Sequence, residues 1–306
     1  MVRERPRLSA MSTPLYVPLD DRGVITVDGP DAGPFLQGLI SNDVERVSEA
    51  RGIYAALLTP QGKFLHDFFV LRQGDGYLLD CEGPRVGDLG GRLVAYRLRA
   101  DIQLADATED FRVVALFGSE DSGGTFSVPL GEGGATPCEG GTILRDPRGA
   151  ALGLRAVLPR GLDLAFLEQA GFAKGHIADF ERHRIAHGAP DGSRDMEVGR
   201  ATLMECGFEA LNGVDFEKGC YVGQELTART KHRGLVRRRL APVALEGPLP
   251  PAGTPIMAGE REVGEIRSGL DDAALAVLRL ERIAAAAEAG EPLTAGEARV
   301  IPPDLP

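Results

Sequence analysis

A chain of 306 residues, 43% hydrophobic and 26% charged, has the composition of a globular protein and not of a disordered one. Its formal net charge of −11 argues against a general nucleic-acid binder, which needs positive surface against phosphate. No apolar run approaches the roughly 18 residues of a membrane span, and the four scattered cysteines, Cys81, Cys138, Cys206 and Cys220, form no C-x-x-C, which excludes zinc-ribbon and dithiol readings and suits a reducing compartment.

Residues 1–10 hold three arginines but no apolar h-region, so no secretory signal is expected there, and Met11 offers a second start. Residues 23–28 alternate as a strand. Asp31 can cap a helix carrying Phe35, Leu36, Leu39 and Ile40 that ends near Ser41-Asn42-Asp43. Residues 53–58 and 64–71 read as strands around the turn Thr59-Pro60-Gln61-Gly62. A tight turn at Gly74-Asp75-Gly76 precedes a strand over 77–81. Pro84 then opens a helix with Val86, Leu89, Leu93 and Tyr96 at helical spacing. Strand, loop or hairpin, strand and two helices follow over 111–117, 119–141, 152–158, 162–170 and 180–187. That order suits two βαββαβ-like halves.

The last part, from about residue 233, changes texture. Short strand-like runs at 236–245, 254–257, 263–267 and 274–280, parted by Pro and Gly turns, predict a small all-β barrel or sandwich. An Ala-rich run at 284–289 suits a short helix or a loose connection, and the tail at 301–306 is expected to fray.

The densest chemistry lies in Lys218-Gly219-Cys220-Tyr221-Val222-Gly223-Gln224-Glu225. A helix is expected from about Val222, with Glu225 and Arg229 paired four apart on one face. Cys220 would then stand at or just before the helix N-terminus, with Lys218 nearby, and both features favour a thiolate. A second cluster, Lys231 to Arg239, holds five of the 34 Lys and Arg; it reads as an anion-binding rim or as a solvated strand face. A third is His66-Asp67. Neighbouring strand residues face opposite sides, so the two cannot share one pocket in a regular strand. Glu205 and Arg184 are further polar candidates, each equally readable as a structural hydrogen bond or ion pair. No Walker A, HExxH, GxSxG or strand-borne GxGxxG is present, which counts against ATPase, zincin, serine-hydrolase and dinucleotide-oxidoreductase chemistry.

The octapeptide matches the K-G-C-Y-x-G-Q-E signature of YgfZ-type proteins, folate-binding relatives of the glycine-cleavage T-protein (aminomethyltransferase) implicated in iron–sulfur cluster assembly or maintenance. Phe35 to Asp43, Leu58 to Lys63, Arg184 to Pro190 and Gly234 to Leu280 resemble further segments of that family. The resemblance implies an α+β fold: two ferredoxin-like modules over 12–232, split near 110, and a C-terminal β-barrel over 233–300, around a central funnel. It implies tetrahydrofolate in that funnel. Cys220 and Lys218 would be catalytic at its rim, and Gly219, Tyr221, Gly223, Gln224, Glu225, Glu205, Arg184, Arg229 and Asp67 would bind the cofactor. No metal ligands are expected. Partners would be iron–sulfur client or assembly proteins, with no nucleic acid or membrane and a monomeric chain, in the cytoplasm of a bacterium or the matrix of a mitochondrion. T-proteins carry a paired Asp-Asp where His66-Asp67 stands and no cysteine at position 220, which argues against glycine cleavage. An aminomethyltransferase and a non-enzymatic folate-binding adaptor remain the alternatives.

Overall fold

The computed structural model describes residues 13–118, 122–234 and 236–304. The leader at 1–10, Met11, and the end of the tail lie outside them.

Strands β1 (Leu15–Pro18), β2 (Arg22–Asp28), β3 (Ile53–Leu58), β4 (Phe64–Gln73), β5 (Gly76–Glu82) and β6 (Gln103–Asp106) come first, with helices α1 (Ala32–Gln37) and α2 (Val86–Arg97). Next come β7 (Phe111–Phe117), α3 (Ser122–Thr125), β8 (Ala135–Cys138), β9 (Gly141–Arg145), β10 (Leu154–Pro159), α4 (Ala165–Gln169) and β11 (Ala173–Lys174). One sheet has the order β3-β4-β5-β2-β6 and the other β11-β1-β7-β10-β9-β8. Without β3, the first sheet is the antiparallel order of a ferredoxin-like βαββαβ unit. The second repeats it with β1 inserted between β7 and β11. The chain therefore crosses from the second sheet to the first between β1 and β2, so position 110 is not a clean cut between modules.

The two sheets share one core. On β3, Tyr54, Ala56 and Leu58 join Val113, Ala115 and Phe117 of β7 in a common cluster. The alternate residues Ile53, Ala55 and Leu57 pack instead with Leu36 of α1 and Leu89 and Leu93 of α2. Val114 and Leu116 pack on the far side against Leu167 of α4. Strands covered on both faces must be apolar at nearly every position, and the first eight residues of β4 are all buried. The described part of 119–141, expected as loop or hairpin, holds α3 and β8; β8 pairs with β9, which runs on past that range, and Cys138 and Gly141 pair across a two-residue turn.

Helices α5 (Ile177–Ala186), α6 (Gly192–Asp195) and α7 (Gln224–Arg233) lead into the barrel. Strands β12 (Arg238–Glu246), β13 (Pro255–Ala258), β14 (Arg261–Leu270), β15 (Ala273–Arg279), β16 (Leu293–Ala295) and β17 (Ala298–Ile301) close in the order β12-β15-β14-β13-β16-β17. Alternate residues such as Ala241, Val243 and Leu245 fill it, and α8 (Leu280–Ala289), read from the Ala-rich run, packs Ile283 and Ala286 on it. The α+β class with a closed terminal barrel is as expected. Among the described residues no helix is long and apolar enough to cross a membrane.

Candidate functional site

The segment before α7 is stitched to the end of α1. The Ser41 hydroxyl donates to the Gly213 carbonyl at 2.6 Å, and Asn42 Nδ2 to those of Asn212 and Tyr54. Asp215 Oδ1 accepts from the amides of Glu217 and Lys218, which sets the turn, while its other oxygen meets Arg46 at 2.6 Å. The Val222 amide donates to the Gly38 carbonyl at 3.1 Å.

Lys218 completes the seam. Its Nζ donates to the carbonyls of Gln37, Ile40 and Asn42 at 2.9, 2.7 and 2.8 Å. Gln37 is the last residue of α1, where a helix leaves carbonyls without intrahelical partners, and Ile40 and Asn42 follow in the segment after it. The same Nζ sits 5.1 Å from the Tyr221 ring centroid. Burial pushes the Lys218 pKa down to about 8. Three carbonyl acceptors nevertheless favour the three-donor ammonium over the amine. The expected partner of the thiol is thus an anchor, with all three of its hydrogens taken by backbone.

Between these pinned flanks, Gly219 has open space where a Cβ would stand, and Cys220 is exposed. Helix α7 begins at Gln224 behind a Gly223 cap, later than expected, so Cys220 stands on the loop before the helix and not at its first turn; none of residues 218–225, nor Arg229, lines the seam cavity described below, so the expected place of Cys220 and Lys218 at a ligand-sized rim is not what the fold gives. Gly223 is left-handed at φ 83°, and a Cβ there would fall 2.5 Å from the Thr59 carbonyl. Tyr221 is buried, its pKa raised to about 12 by that burial, and Gln224 Oε1 accepts from the Tyr221 amide. Glu225 and Arg229 form the expected i,i+4 ion pair, on the exposed face of α7.

A cavity of about 560 Å³ opens at the seam between the α+β region and the barrel. Glu205 and the buried Cys206 line it, with Lys63 from the β3–β4 turn, Arg237, Arg238, and Arg267 of β14. Thr202 Oγ1 donates to Glu205 Oε2 at 3.0 Å, leaving Oε1 for another donor. Cys206 is a free thiol whose pKa burial raises, and it is not joined to Cys220.

Asp67 belongs to a different hollow, of only about 20 Å³, walled by Arg22, Arg148 and Arg155 around Phe69. Their guanidinium carbons lie 6.0, 4.9 and 4.1 Å from that ring centroid. Tyr54 Oη donates to Asp67 Oδ2 at 2.8 Å, and burial raises the Asp67 pKa. This space suits a water molecule and not a pterin, so Asp67 and Glu205 do not share one ligand-sized hollow. His66 faces the other way, as strand alternation requires. Its Nε2 lies 2.8 Å from Asp88 Oδ2 on α2, and burial lowers its pKa to about 4.

Arg184 is fully buried and structural. Its Nε donates to Glu181, Nη1 to the Ala189 carbonyl and Asp195, and Nη2 to Glu181 and Ser268 of β14. Five N–H groups meet five acceptors, which leaves none for a ligand. The basic run splits: Lys231 pairs with Glu209, while Arg237 and Arg238 reach the cavity. Sequence reasoning passed over Asp215, the turn-setting carboxylate, and Arg267; an Asx turn before the motif was the available signal for the first.

Residues 237–305 match the family described as CAF17, C-terminal beta-barrel domain. The human mitochondrial iron-sulfur cluster assembly factor IBA57 is 36% identical over 284 residues, spanning 87% of this chain and 77% of the human protein. Its mouse counterpart is 35% identical over 294 residues, with the same coverage of 87% and 77%. The crystal structure of glycine cleavage system aminomethyltransferase T from Bartonella henselae covers 95% of this chain and 84% of its own at a TM-score of 0.74 and 16% identity, a likeness of fold. The chain belongs to the IBA57 family, built on the fold of aminomethyltransferase T.

Proposed function

We propose that this protein serves iron–sulfur cluster assembly, the role that the names of its human and mouse relatives give them. In this reading it presents Cys220 to a partner and holds a tetrahydrofolate-type ligand in the seam cavity. The observation that carries the proposal is an exposed thiol on a lip whose two flanks are fixed, by Lys218 on one side and the Gly223 cap on the other. A sulfur held there meets a docking protein without first paying to order its loop.

One cysteine does not hold a cubane, which takes four ligands. A cluster, as cargo, would therefore be shared with an assembly or client protein that supplies the remaining ligands. The seam cavity has the volume of an ordinary small-molecule site. Its donor set suits a reduced folate: Glu205 can accept pterin N–H groups, and Lys63, Arg237 and Arg238 can meet carboxylates. The bound folate would supply one-carbon or redox chemistry. The residues named bind and orient it.

The test is complementation of cells lacking the endogenous factor, read by the activity of iron–sulfur enzymes. Cys220→Ser is expected to fold normally and fail to support them; full rescue overturns the thiol's role. Calorimetric titration with tetrahydrofolate should show binding that Glu205→Gln weakens.

A non-enzymatic adaptor is the second reading, favoured by the commitment of Lys218 and Arg184 to protein acceptors, which leaves neither for acid–base work. An aminomethyltransferase is disfavoured by the small Asp67 hollow and by His66 turned to α2. The proposed site of action is the mitochondrial matrix for a eukaryotic chain and the cytoplasm for a bacterial one.

A further inference from the structure

Helix α2 turns an apolar face to solvent. Its exposed positions include Gly87, Asp88, Gly91, Val94 and Ala95, and Leu98 follows at its C-cap. Only Asp88 among these is polar. The exposed positions of α7 are Glu225, Arg229, Lys231, His232 and Arg233, which is how a solvated helix of this chain reads. Val94 is 57% and Leu98 90% exposed, and Leu98 holds its place at φ 45°, a value unfavourable for leucine. Steps of three and four set Gly87, Gly91, Val94 and Leu98 along one line of the helix. The opposite line, Val86, Leu89 and Leu93, packs on the first sheet, and among the described residues nothing packs on this one.

The spacing of the face says what covers it. Gly87 and Leu98 lie equally far, on opposite sides, from the step between Arg92 and Leu93, and so do Gly91 and Val94. When a second α2 lies antiparallel across that step, each large side chain comes to the level of a position without a Cβ. The match runs in both directions, as a two-fold contact requires. A Cβ built on Gly87 or Gly91 meets no atom of this chain within 4 Å, so the space is open to receive those side chains. A hollow of about 490 Å³ beside Val94 and Leu98, floored by Ala100, leaves room for the first turn of the other helix, where Pro84 is exposed. A parallel pair would set leucine against leucine and leave the glycines facing one another. Asp88 is already met by Arg85, Arg92 and His66, and each copy carries a net charge of −11, so apolar contact and not charge holds such a pair.

We infer that two copies of this chain associate through α2, antiparallel and two-fold symmetric, with Val94 and Leu98 of each seated over Gly91 and Gly87 of the other. One helix pair is a small interface, at the low end of specific contacts, so the dimer is weak, with a Kd on the order of 10 µM. The monomer expected from the family resemblance is then the dilute state.

The experiment is sedimentation velocity of the full chain from about 1 to about 200 µM, at low salt and at about 0.5 M salt. The wild type should pass from monomer to dimer across that range, and at least as readily in high salt, which screens the repulsion between two acidic copies. Gly91→Leu fills the hole and favours the helix; Leu98→Gly removes the knob and suits the backbone. Both positions are exposed, so neither change disturbs the core. Both variants should melt no lower than wild type while the dimer weakens about tenfold or more. Arg233→Gln, on α7, should dimerise as wild type does. A chain that stays monomeric throughout overturns the inference. A dimer that both variants leave intact also overturns it, because its interface would lie on another surface. A dimer that salt dissolves does the same, because charge would then hold it.

Discussion

Lys218 Nζ meets the backbone carbonyl of Ile40 at 2.7 Å across 178 positions of sequence, tying the lip that bears Cys220 to the end of α1. The same ammonium closes on Gln37 and Asn42, so a single side chain completes a helix terminus and fixes a loop. Most of this lysine's value lies in what its absence leaves behind: partly buried carbonyls with no donor.

Lys218→Met should therefore destabilise the protein by about 2–4 kcal/mol, since a lost charged hydrogen bond and orphaned acceptors each carry a penalty of that order. Denaturant unfolding measures it. An unchanged midpoint would show that water replaces the ammonium without loss.

Gly223 and Gly62 touch back to back, with the Cβ of either falling 3.0 Å or less from the other's backbone. Gly223→Ala forces a side chain into the left-handed region and against the Thr59 carbonyl. It should lose about 3 kcal/mol. Gly219→Ala, four residues earlier in the motif but facing open space, should stay within about 0.5 kcal/mol of wild type. Equal losses at the two positions would refute the backbone-contact explanation.

Local signals carried far in this chain. Strands β2 to β5, β7, β10 and β12 to β15 and the Glu225–Arg229 pair follow from alternation, turn chemistry and helical spacing, whereas β1, β6, β11, β16 and β17, of two to four residues each, are too short to show a period. Long-range partnership did not. Nothing local in residues 15–18 says that β1 inserts between β7 and β11, because that pairing is settled by strands about 100 or more positions away. Lys218 beside a cysteine reads as electrostatic activation until the carbonyls of 37–42 are seen to claim its hydrogens. Arg184 reads as a ligand contact until Ser268, 84 positions on, is found across the barrel seam. His66 and Asp67 were separable in advance because strand geometry is local, whereas the size of the Asp67 hollow depends on Arg148 and Arg155 from the second sheet.

Arg184 clasps α5 to the barrel through Ser268 and Asp195. Removing one member of a buried pair leaves an uncompensated charge, so Arg184→Leu should cost about 3–5 kcal/mol. Limited proteolysis should cut the variant faster in the seam between α6 and β14. Protection equal to wild type would mean that apolar packing alone holds the barrel in place.

Thiol accessibility separates the cysteines. Cys81 and Cys206 are buried, with burial raising both pKa values, Cys81 to about 12. The thiolate is the nucleophile, so both should resist alkylation while the protein stays folded. Iodoacetamide under native conditions, followed by peptide mass spectrometry, should label Cys220 first and Cys138 more slowly. Labelling of Cys206 at the rate of Cys220 would place its sulfur in open solvent.

Acid should weaken the fold before its carboxylates titrate. His66 and His183 both have pKa values lowered from 6.5 to about 4, chiefly by burial. Between those values the unfolded chain binds a proton that the folded chain refuses. Stability therefore falls as pH drops from about 6.5 to about 4, by on the order of 3 kcal/mol for a fully effective histidine. The lowered carboxylates Asp80, Asp88 and Asp146 add their own loss only below about pH 4, where they begin to protonate in the unfolded chain. Urea midpoints at pH 7 and 4.5 should show the drop in wild type and a smaller one in His66→Gln, whose amide cannot titrate. A variant with the full wild-type drop would place the linkage elsewhere.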